Sequence, residues 1–195
     1  MPFDDFLGNQ SILETLRTQL ATRRLRHSML FAGVTGIGKW TLAQFIAKAS
    51  NCLRLQNDFC DNCPSCERIS DNAHPDVRNV APDGQFIKID QMRNLSREVF
   101  FKPFEGRRRV FIIDEAEKFR DEAANSILKT LEEPPDTSFL ILITSRPNDL
   151  LSTIRSRCQT YRFAPLSAND IEQLLQRRTS YSHRERQLLA RIAGG

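Results

Sequence analysis

A glycine-rich run at residues 33–39 (GVTGIGK) is the strongest chemical signal in the sequence. A short apolar stretch precedes it, and apolar residues with helical spacing follow it. In that context the run predicts a phosphate-binding loop, because backbone N–H groups and a helix N terminus together favour phosphate oxygens. Lys39 would neutralise the β- and γ-phosphates of a nucleotide. The candidate nucleotide-binding residues are Gly33, Gly36, Gly38, Lys39 and Thr41.

The residue after the lysine departs from the expected pattern. A Ser or Thr there would bind Mg²⁺ through its hydroxyl, but Trp40 has no such ligand. Thr41 lies about 100° further round a helix, so it does not simply substitute. The sequence therefore supports binding of ATP or ADP, with Mg²⁺ as a candidate companion, more strongly than it supports hydrolysis.

Two carboxylates follow the apolar run at residues 110–113, at the end of a predicted strand. Asp114 could hold Mg²⁺ through water, and Glu115 could orient or activate an attacking water. Thr144 ends the next predicted strand and could contact a γ-phosphate or that water. A strand-end hydroxyl that binds only backbone explains Thr144 equally well, and an acidic pair alone is more often a solvated loop.

Four cysteines have the spacing C-x7-C-x2-C-x2-C: Cys52, Cys60, Cys63 and Cys66. In a reduced compartment this spacing predicts a tetrahedral zinc site. All four ligand positions are filled, so the expected zinc is structural. The segment has little apolar content, and we expect the metal to supply its folding energy. The alternative is that the four thiols bind no metal. The fifth cysteine, Cys158, lies outside this group of four.

Arg157 lies in the run Arg155-Ser156-Arg157-Cys158 and is a candidate arginine finger for a neighbouring subunit's γ-phosphate. The alternative is a solvated surface arginine. Residues 107–109, three consecutive arginines before a strand, are expected to form a solvated edge or loop.

The composition excludes several classes of protein. The chain has 195 residues, 40% of them hydrophobic and 27% charged, which excludes collagen, coiled coil and wholesale disorder. Its net charge of +4 is compatible with a nucleic-acid-binding protein but is too small to establish one. No apolar run approaches membrane-spanning length and no signal peptide opens the sequence, so we expect a cytoplasmic protein.

Buried-strand patterns alternate with amphipathic helices, which predicts an α/β fold with a parallel, five-stranded sheet flanked by helices. Residues 1–165 are expected to form the nucleotide-binding domain, with the zinc-binding insertion at residues 52–66. After Pro165 the pattern is helical throughout. We expect residues 166–195 to be the start of a small helical lid domain, in a chain that ends before a further C-terminal domain.

These motifs, in this order, resemble the clamp-loader branch of the AAA+ P-loop ATPases, in the form found in bacterial DNA polymerase III. The matching stretches are residues 6–10, 27–39, 52–66, 74–76, 113–116, 128–135 and 156–158. The resemblance implies that the four cysteines bind zinc and that Arg157 acts in trans on an adjacent subunit's ATP. It also implies an oligomeric collar after the lid.

Within that family, Trp40 favours a stator subunit that need not hydrolyse ATP over a motor subunit of the gamma/tau type. The implied function is to help load a sliding clamp onto primed DNA. The implied partners are gamma/tau-type and delta-type loader subunits and, through the assembly, the clamp and primer-template DNA. A self-sufficient motor ATPase and a zinc-stabilised interaction module without nucleotide remain as alternatives.

Overall fold

A computed structural model describes residues 2–193 and contains five strands: β1 (Ser28–Ala32), β2 (Val77–Val80), β3 (Arg109–Ile113), β4 (Ser138–Thr144) and β5 (Gln159–Arg162). They form a single parallel sheet in the order β2-β3-β4-β1-β5. The three central strands are almost wholly buried, whereas the edge strands β2 and β5 alternate buried and exposed residues. This is the pattern of a parallel sheet covered on both faces.

Eight α-helices surround or follow the sheet within the described residues. They are α1 (Gln10–Ala21), α2 (Lys39–Asn51), α3 (Pro64–Ser70), α4 (Ile89–Glu98), α5 (Asp121–Glu132), α6 (Ser152–Arg155), α7 (Ala168–Arg178) and α8 (His183–Ala193). The predicted five-stranded α/β architecture is confirmed. No helix in residues 2–193 is long and apolar enough to cross a membrane.

Each face of the sheet has its own hydrophobic core because successive strand residues point to opposite sides. Phe31 of β1 packs with Leu16 of α1 and Ile46 of α2 on one face. Leu30, the preceding residue, packs on the other face with Leu95 of α4 and Ile127 of α5. The helices on both faces are thus fixed relative to the carboxyl ends of the strands.

Parallel pairing brings the predicted chemical residues to one edge of the sheet. Ala32 is paired with Thr144, and Ile113 with Leu142. The glycine-rich loop after β1, the acidic residues after β3 and the end of β4 therefore meet there. This is the edge at which ligands bind in open α/β sheets.

The segment after β5 is tied to the start of the chain. The Asn9 side chain donates a hydrogen bond to the Ala164 carbonyl at 3.1 Å and accepts one from the Ala164 N–H at 2.7 Å. Helix α7 then begins with a capping box between Ser167 and Asp170. The predicted domain boundary near Pro165 stays a prediction.

Candidate functional site: a nucleotide-binding cleft and a cysteine cluster

The glycine-rich loop is held against the sheet by its first residue. The Gly33 N–H donates to the Thr144 carbonyl at 3.2 Å, which ties the loop to β4. A Cβ atom at Gly33 would lie 2.7 Å from the Phe163 carbonyl oxygen, so only glycine fits there. Gly36 differs: its φ is +84° and a Cβ would meet nothing within 4 Å, so its backbone faces open space.

Lys39 begins α2, where the helix N terminus adds positive partial charge to the loop. Its ammonium group donates to the Gly33 carbonyl at 2.7 Å and the Val34 carbonyl at 2.6 Å. Burial lowers the pKa of Lys39, and the nearby Asp114 and Glu117 carboxylates partly oppose that shift. The loop thus holds its own cation, which would exchange carbonyl partners for phosphate oxygens when an anion binds.

A cleft of about 860 Å³ opens over this loop. Its lining combines polar groups of the glycine-rich loop and the acidic residues after β3 with apolar side chains. Phe6 and Leu7 contribute to it, together with Leu166, Leu174 and Arg177 from the segment after β5. The cleft also contains the remaining residues predicted for nucleotide binding and its chemistry, which are Gly36, Gly38, Lys39, Thr41, Asp114, Glu115 and Thr144. Its size and mixed lining suit a nucleotide-sized ligand.

The acidic residues of the cleft differ in their surroundings. Burial raises the pKa of Asp114, although the Glu115 N–H hydrogen bond and the Lys39 charge partly offset it. Glu115 is exposed, has a φ of 49° and forms an ion pair with Lys118. The predicted pair therefore lies in the cleft as one half-buried and one exposed carboxylate.

Glu117 is an acidic residue that the sequence analysis missed. Its carboxylate accepts hydrogen bonds from the Ser145 N–H at 3.2 Å and from the Ser145 hydroxyl. Burial alone would raise the pKa of Glu117, but hydrogen bonds from Ser145 and Thr144 outweigh it and lower the pKa. One feature of the sequence could have indicated Glu117, namely its position three residues after Asp114. The short 3-10 turn at 116–118 brings the side chain at that position back to the cleft.

Thr144 is buried at the end of β4, and its hydroxyl oxygen accepts a hydrogen bond from the Arg146 N–H at 3.1 Å. Both earlier interpretations of this residue therefore have support. It lines the cleft, and its hydroxyl also binds backbone.

The residues present do not fit the usual Mg²⁺ site of a phosphate-binding loop. Trp40, the second residue of α2, lines the cleft where a hydroxyl ligand is expected, and its ring packs partly against the core. An indole N–H is a donor only and cannot coordinate a cation. Thr41 also lines the cleft, but one helical position further round.

The four predicted cysteines converge at the far end of α2. Their sulfur atoms all lie within 4.8 Å of one another, and those of Cys52 and Cys60 are 3.7 Å apart. Sulfurs bound to Zn²⁺ at about 2.3 Å lie about 3.8 Å apart along the edges of a tetrahedron. The donor set and its spacing therefore fit zinc.

Backbone N–H groups point at the sulfurs, as thiolate ligands require. The Leu55 N–H donates to Cys52 Sγ at 3.3 Å. Burial alone would raise the pKa of Cys63, but N–H groups of Cys66 and Leu53 outweigh it and lower the pKa to about 6. Burial raises the pKa of Cys66 and of Cys60 in the absence of a metal. Metal binding would replace these opposing shifts with four thiolates.

The expectation that the cysteine segment lacks apolar packing is wrong. Phe59 is fully buried and packs against Phe3 and Phe45, with ring centroids 5.4 Å and 4.6 Å away. The segment also leads into α3 (Pro64–Ser70), which supplies Cys66. One buried aromatic side chain thus anchors the insertion to the main core.

The arginines at residues 107–109 are not simply a solvated edge, which corrects a second expectation. The Arg107 guanidinium donates to the carbonyls of Ser50 at 3.1 Å and Cys52 at 2.8 Å. It therefore covers the C-terminal carbonyls of α2 beside the cysteines. Arg109 is largely buried and donates to the Glu98 carbonyl at 2.6 Å.

Arg157 lies outside the nucleotide cleft of its own chain. Its guanidinium donates to the Thr153 carbonyl at 3.0 Å and lies 3.4 Å from Glu132. It lines a separate concavity of about 420 Å³ with Arg26 and His27. Cys158 is buried beside it, and burial raises the pKa of that thiol to about 12, which makes it inert.

Comparison with known proteins decides the family. A family model described as "DNA polymerase III, delta subunit" matches residues 8–167. The chain belongs to this family. Among curated relatives of this delta-subunit family member, DNA polymerase III subunit delta' of Bacillus subtilis is 40% identical over 164 residues, 84% of this chain and 50% of the relative. DNA polymerase III subunit gamma/tau of Mycoplasma pneumoniae is 36% identical over 173 residues, which are 89% of this chain and 25% of that relative.

Solved structures agree on the fold of this delta-subunit family member. A DNA polymerase III, gamma subunit-related protein from Thermotoga maritima superposes with a TM-score of 0.55 at 20% identity, covering 89% of this chain and 57% of that one. The RuvB Holliday junction branch migration motor from the same organism superposes with a TM-score of 0.62 at 17% identity. The superposition covers 96% of this chain and 57% of that one. The expected AAA+ fold is thus confirmed. The chain spans half or less of the length of the curated relatives it matches.

Proposed function

We propose that this chain is a delta-prime-type subunit of a DNA polymerase III clamp loader, which acts as a stator and supplies Arg157 to a neighbouring ATPase subunit. The observation that carries the proposal is the position of Arg157. It lies outside its own nucleotide cleft, in a half-exposed position on a separate surface. A guanidinium in that position lies away from the nucleotide of its own chain, so a function as an arginine finger would have to be exerted in trans.

The nucleotide cleft supports the same assignment. Gly33, Gly36, Gly38 and Lys39 bind the phosphates, whereas Trp40 removes the metal-binding hydroxyl that hydrolysis needs. A subunit of this kind holds its position in the ring while motor subunits of the gamma/tau type turn over. Its further partners are delta-type subunits and, through the assembly, the sliding clamp and primer-template DNA.

The test is ATP hydrolysis by a loader reconstituted with Arg157→Ala. We expect turnover to fall at least about a thousandfold, the lower limit of the range for loss of an arginine finger. Arg155→Ala is the matched control, because Arg155 is an exposed residue of the adjacent α6. It should leave turnover within twofold of the unsubstituted assembly. Unchanged turnover with Arg157→Ala would remove the proposed function of this arginine.

We also propose that the four cysteines hold one structural Zn²⁺. The four sulfurs within 4.8 Å and the absence of an open ligand position support it. Metal analysis of the purified chain should give one zinc per chain. A chain that folds normally without zinc, with four titratable thiols in the cluster, would contradict it.

The second candidate is a motor ATPase of the gamma/tau type, which the 36% identity to the Mycoplasma protein favours. In that case Asp114 and Glu115 would be catalytic, Thr144 would contact the γ-phosphate or water, and Thr41 or water would replace the missing hydroxyl. ATP hydrolysis by this chain, abolished by Lys39→Ala, would establish the motor. Nucleotide binding without turnover favours the stator, and loss of both leaves a zinc-stabilised interaction module.

A further inference from the structure

A cavity of about 640 Å³ lies at the amino ends of the strands, at the opposite edge of the sheet from the nucleotide cleft. His27 directly precedes β1, Arg108 precedes β3 and Thr137 precedes β4, and all three residues line this cavity. Residues at the C-terminal ends of α1 and α2 line it as well. Because the nucleotide cleft lies at the carboxyl ends of the same strands, the two cavities are separate.

The charged residues that line this cavity are all basic. Arg23, Arg107 and Arg108 line it, and no carboxylate of residues 2–193 does. Within that part of the chain, Arg23 and Arg108 form no ion pair. The Asp136 carboxylate lies 3.8 Å from His27 Nε2, but it is exposed to solvent and does not line the cavity. The cavity therefore carries positive charge that the protein does not neutralise.

Contacts with the protein hold two of the guanidinium groups at the cavity wall. The Arg108 guanidinium lies 5.4 Å from the centre of the Phe139 ring, and the His27 ring packs 5.3 Å from the same centre. The Arg107 guanidinium donates to the Ser50 carbonyl at 3.1 Å. Phe139 and Ser50 both line the cavity. Groups that are already in position lose less conformational entropy when they bind a ligand.

The helix ends at this cavity do not cancel its positive charge. Free C-terminal carbonyls carry negative partial charge and would repel an anion. At the end of α1, backbone N–H groups of residues 22–24 donate to carbonyls of the last turn. At the end of α2, the Arg107 guanidinium covers the carbonyls of Ser50 and Cys52. Arg23 and Arg108 are therefore the arginines left to bind a ligand.

Ser50 gives a second, independent observation that points to a ligand. Its side chain is only 8% exposed, and its hydroxyl has no hydrogen-bond partner among the residues that the structure describes. A buried hydroxyl without a partner costs free energy, because it has lost its hydrogen bonds to water. Since Ser50 lines the basic cavity, an anionic oxygen bound there would supply the acceptor.

We propose that this cavity binds a ligand with two or more linked phosphate groups, through Arg23, Arg108 and the Ser50 hydroxyl. Guanidinium groups match phosphate oxygens through paired N–H donors. The Phe139 ring is only 5% exposed, so it offers no open face for a nucleobase and the site recognises phosphate alone. The site is distinct from the nucleotide cleft and from Arg157, and it goes beyond the proposed function.

The experiment is isothermal titration with inorganic tripolyphosphate of the Lys39→Met chain, in which the phosphate-binding loop has lost its cation. We expect one site per chain. Arg23→Gln or Arg108→Gln, added to this chain, should each weaken binding at least about tenfold, because a hydrogen bond to a charged group is lost. Arg24→Gln is the matched control, since Arg24 is exposed and lies outside the cavity lining. It should leave the affinity within about twofold, because salt screens exposed charges.

Ser50→Ala separates binding from stability. The hydroxyl has no partner in the unliganded chain, so its removal should leave the melting temperature unchanged or slightly raised. The same substitution should weaken tripolyphosphate binding at least about threefold, because the donor to the ligand is gone. A hydroxyl that serves only the fold would show the reverse, with a lower melting temperature and unchanged binding. Thermal melts of the arginine variants check that they remain folded.

A second titration with a single-stranded DNA oligonucleotide identifies the source of the phosphates. DNA binding that weakens in Arg23→Gln and Arg108→Gln assigns the site to consecutive phosphates of a strand. Tripolyphosphate binding without DNA binding assigns it to a free oligophosphate. The inference is overturned if neither probe binds the Lys39→Met chain, or if the two cavity variants bind as tightly as Arg24→Gln. Either result leaves the proposed function standing, because turnover by a loader with Arg157→Ala tests that function separately.

Discussion

The two ends of α2 carry two candidate sites of this protein, and different physical interactions organise each. At the N terminus, Lys39 and the glycine-rich loop point N–H groups and a cation into an open cleft. At the C terminus, Cys52 and three further sulfurs converge within 4.8 Å. The positive end of the helix dipole favours an anion at the loop, whereas at the C-terminal end the Arg107 guanidinium donates to carbonyls beside the sulfurs.

The difference lies in what holds each region when its ligand is absent. The loop is complete by itself, since Gly33 is bonded to β4 and Lys39 binds the loop's own carbonyls. The cysteine segment is held by Phe59 and three buried cysteines in the core, by the Lys48–Asp61 ion pair and by the Arg107 hydrogen bonds. We therefore expect substitutions at the cysteine cluster to affect stability and substitutions in the cleft to affect binding.

The largest expected effect is at the cysteine cluster. Cys66→Ser removes one of four metal ligands from a fully buried position. We expect a loss of about 4 kcal/mol in the free energy of unfolding, because metal binding supplies folding free energy to the segment. The melting temperature should fall by about 8–16 °C.

The control for this prediction is Cys158→Ser, at a buried cysteine outside the cluster. It should keep its zinc and cost less than half as much. An equal fall in melting temperature for both variants, with zinc retained in both, would mean that the cluster is not a metal site.

The second prediction concerns the core anchor of the same segment. Phe59→Ala should cost about 3 kcal/mol even in saturating zinc, because it empties a fully buried aromatic position. Leu53→Ala, at a residue 65% exposed, should change stability by less than about 0.5 kcal/mol. Thermal melts of both decide, and an unchanged melt for Phe59→Ala would show that zinc alone holds the segment.

The third prediction separates two glycines of the cleft. Gly33→Ala should cost about 2–3 kcal/mol, since its Cβ would lie 2.7 Å from a backbone oxygen. Gly36→Ala should cost only about 1 kcal/mol for its positive φ, because no protein atom lies within 4 Å of the added carbon. Nucleotide titration should nevertheless show weaker binding for Gly36→Ala, whose methyl group enters the phosphate position. Equal stabilities for the two variants would contradict this account of the loop.

The smallest expected effect is a gain in stability, whereas the preceding substitutions reduce stability. The pKa of Lys39 is lowered by burial, so the unfolded chain binds its proton more tightly than the folded chain. This charge therefore opposes folding at neutral pH, and the cost disappears as the pH rises from the lowered pKa to the ordinary value of 10.5. Lys39→Met should raise the melting temperature by about 2 °C at pH 7 and abolish nucleotide binding.

Melts of the unsubstituted chain and of Lys39→Met at pH 7 and pH 10.5 provide the check. The advantage of the variant should shrink at the higher pH. A lower melting temperature for Lys39→Met at pH 7 would mean that the two carbonyl hydrogen bonds outweigh the buried charge.

Local pattern was sufficient for most of the fold. The predicted five-stranded parallel sheet is present, and β3 begins one residue before the predicted run at residues 110–113, which is a short apolar stretch between turn residues. The nucleotide-binding motif and the cysteine quartet were likewise readable, since their chemistry depends on residue type and spacing. The matched family model and the confirmed AAA+ fold agree with the predicted five-stranded architecture.

Other features depended on contacts between distant parts of the chain. Phe59 is apolar in a polar segment, and only its packing against Phe3 shows it to be core. The sequence around Arg107 indicates a solvated charge, and only the tertiary structure shows that its guanidinium donates to a carbonyl at the end of α2. Glu117 joins the cleft only because Ser145 at the end of β4 donates to it.

The sequence by itself determined the strands, the phosphate-binding loop and the thiol set, because these follow from local periodicity and from which atoms can bind phosphate or zinc. Tertiary structure alone decided which side chains share a surface. It placed Trp40 among three carboxylates in one cleft and Arg157 outside that cleft. The physical reason is that the charges around a site, and the groups that a side chain can contact, depend on distances between segments far apart in the chain. Residue spacing along the chain does not give those distances.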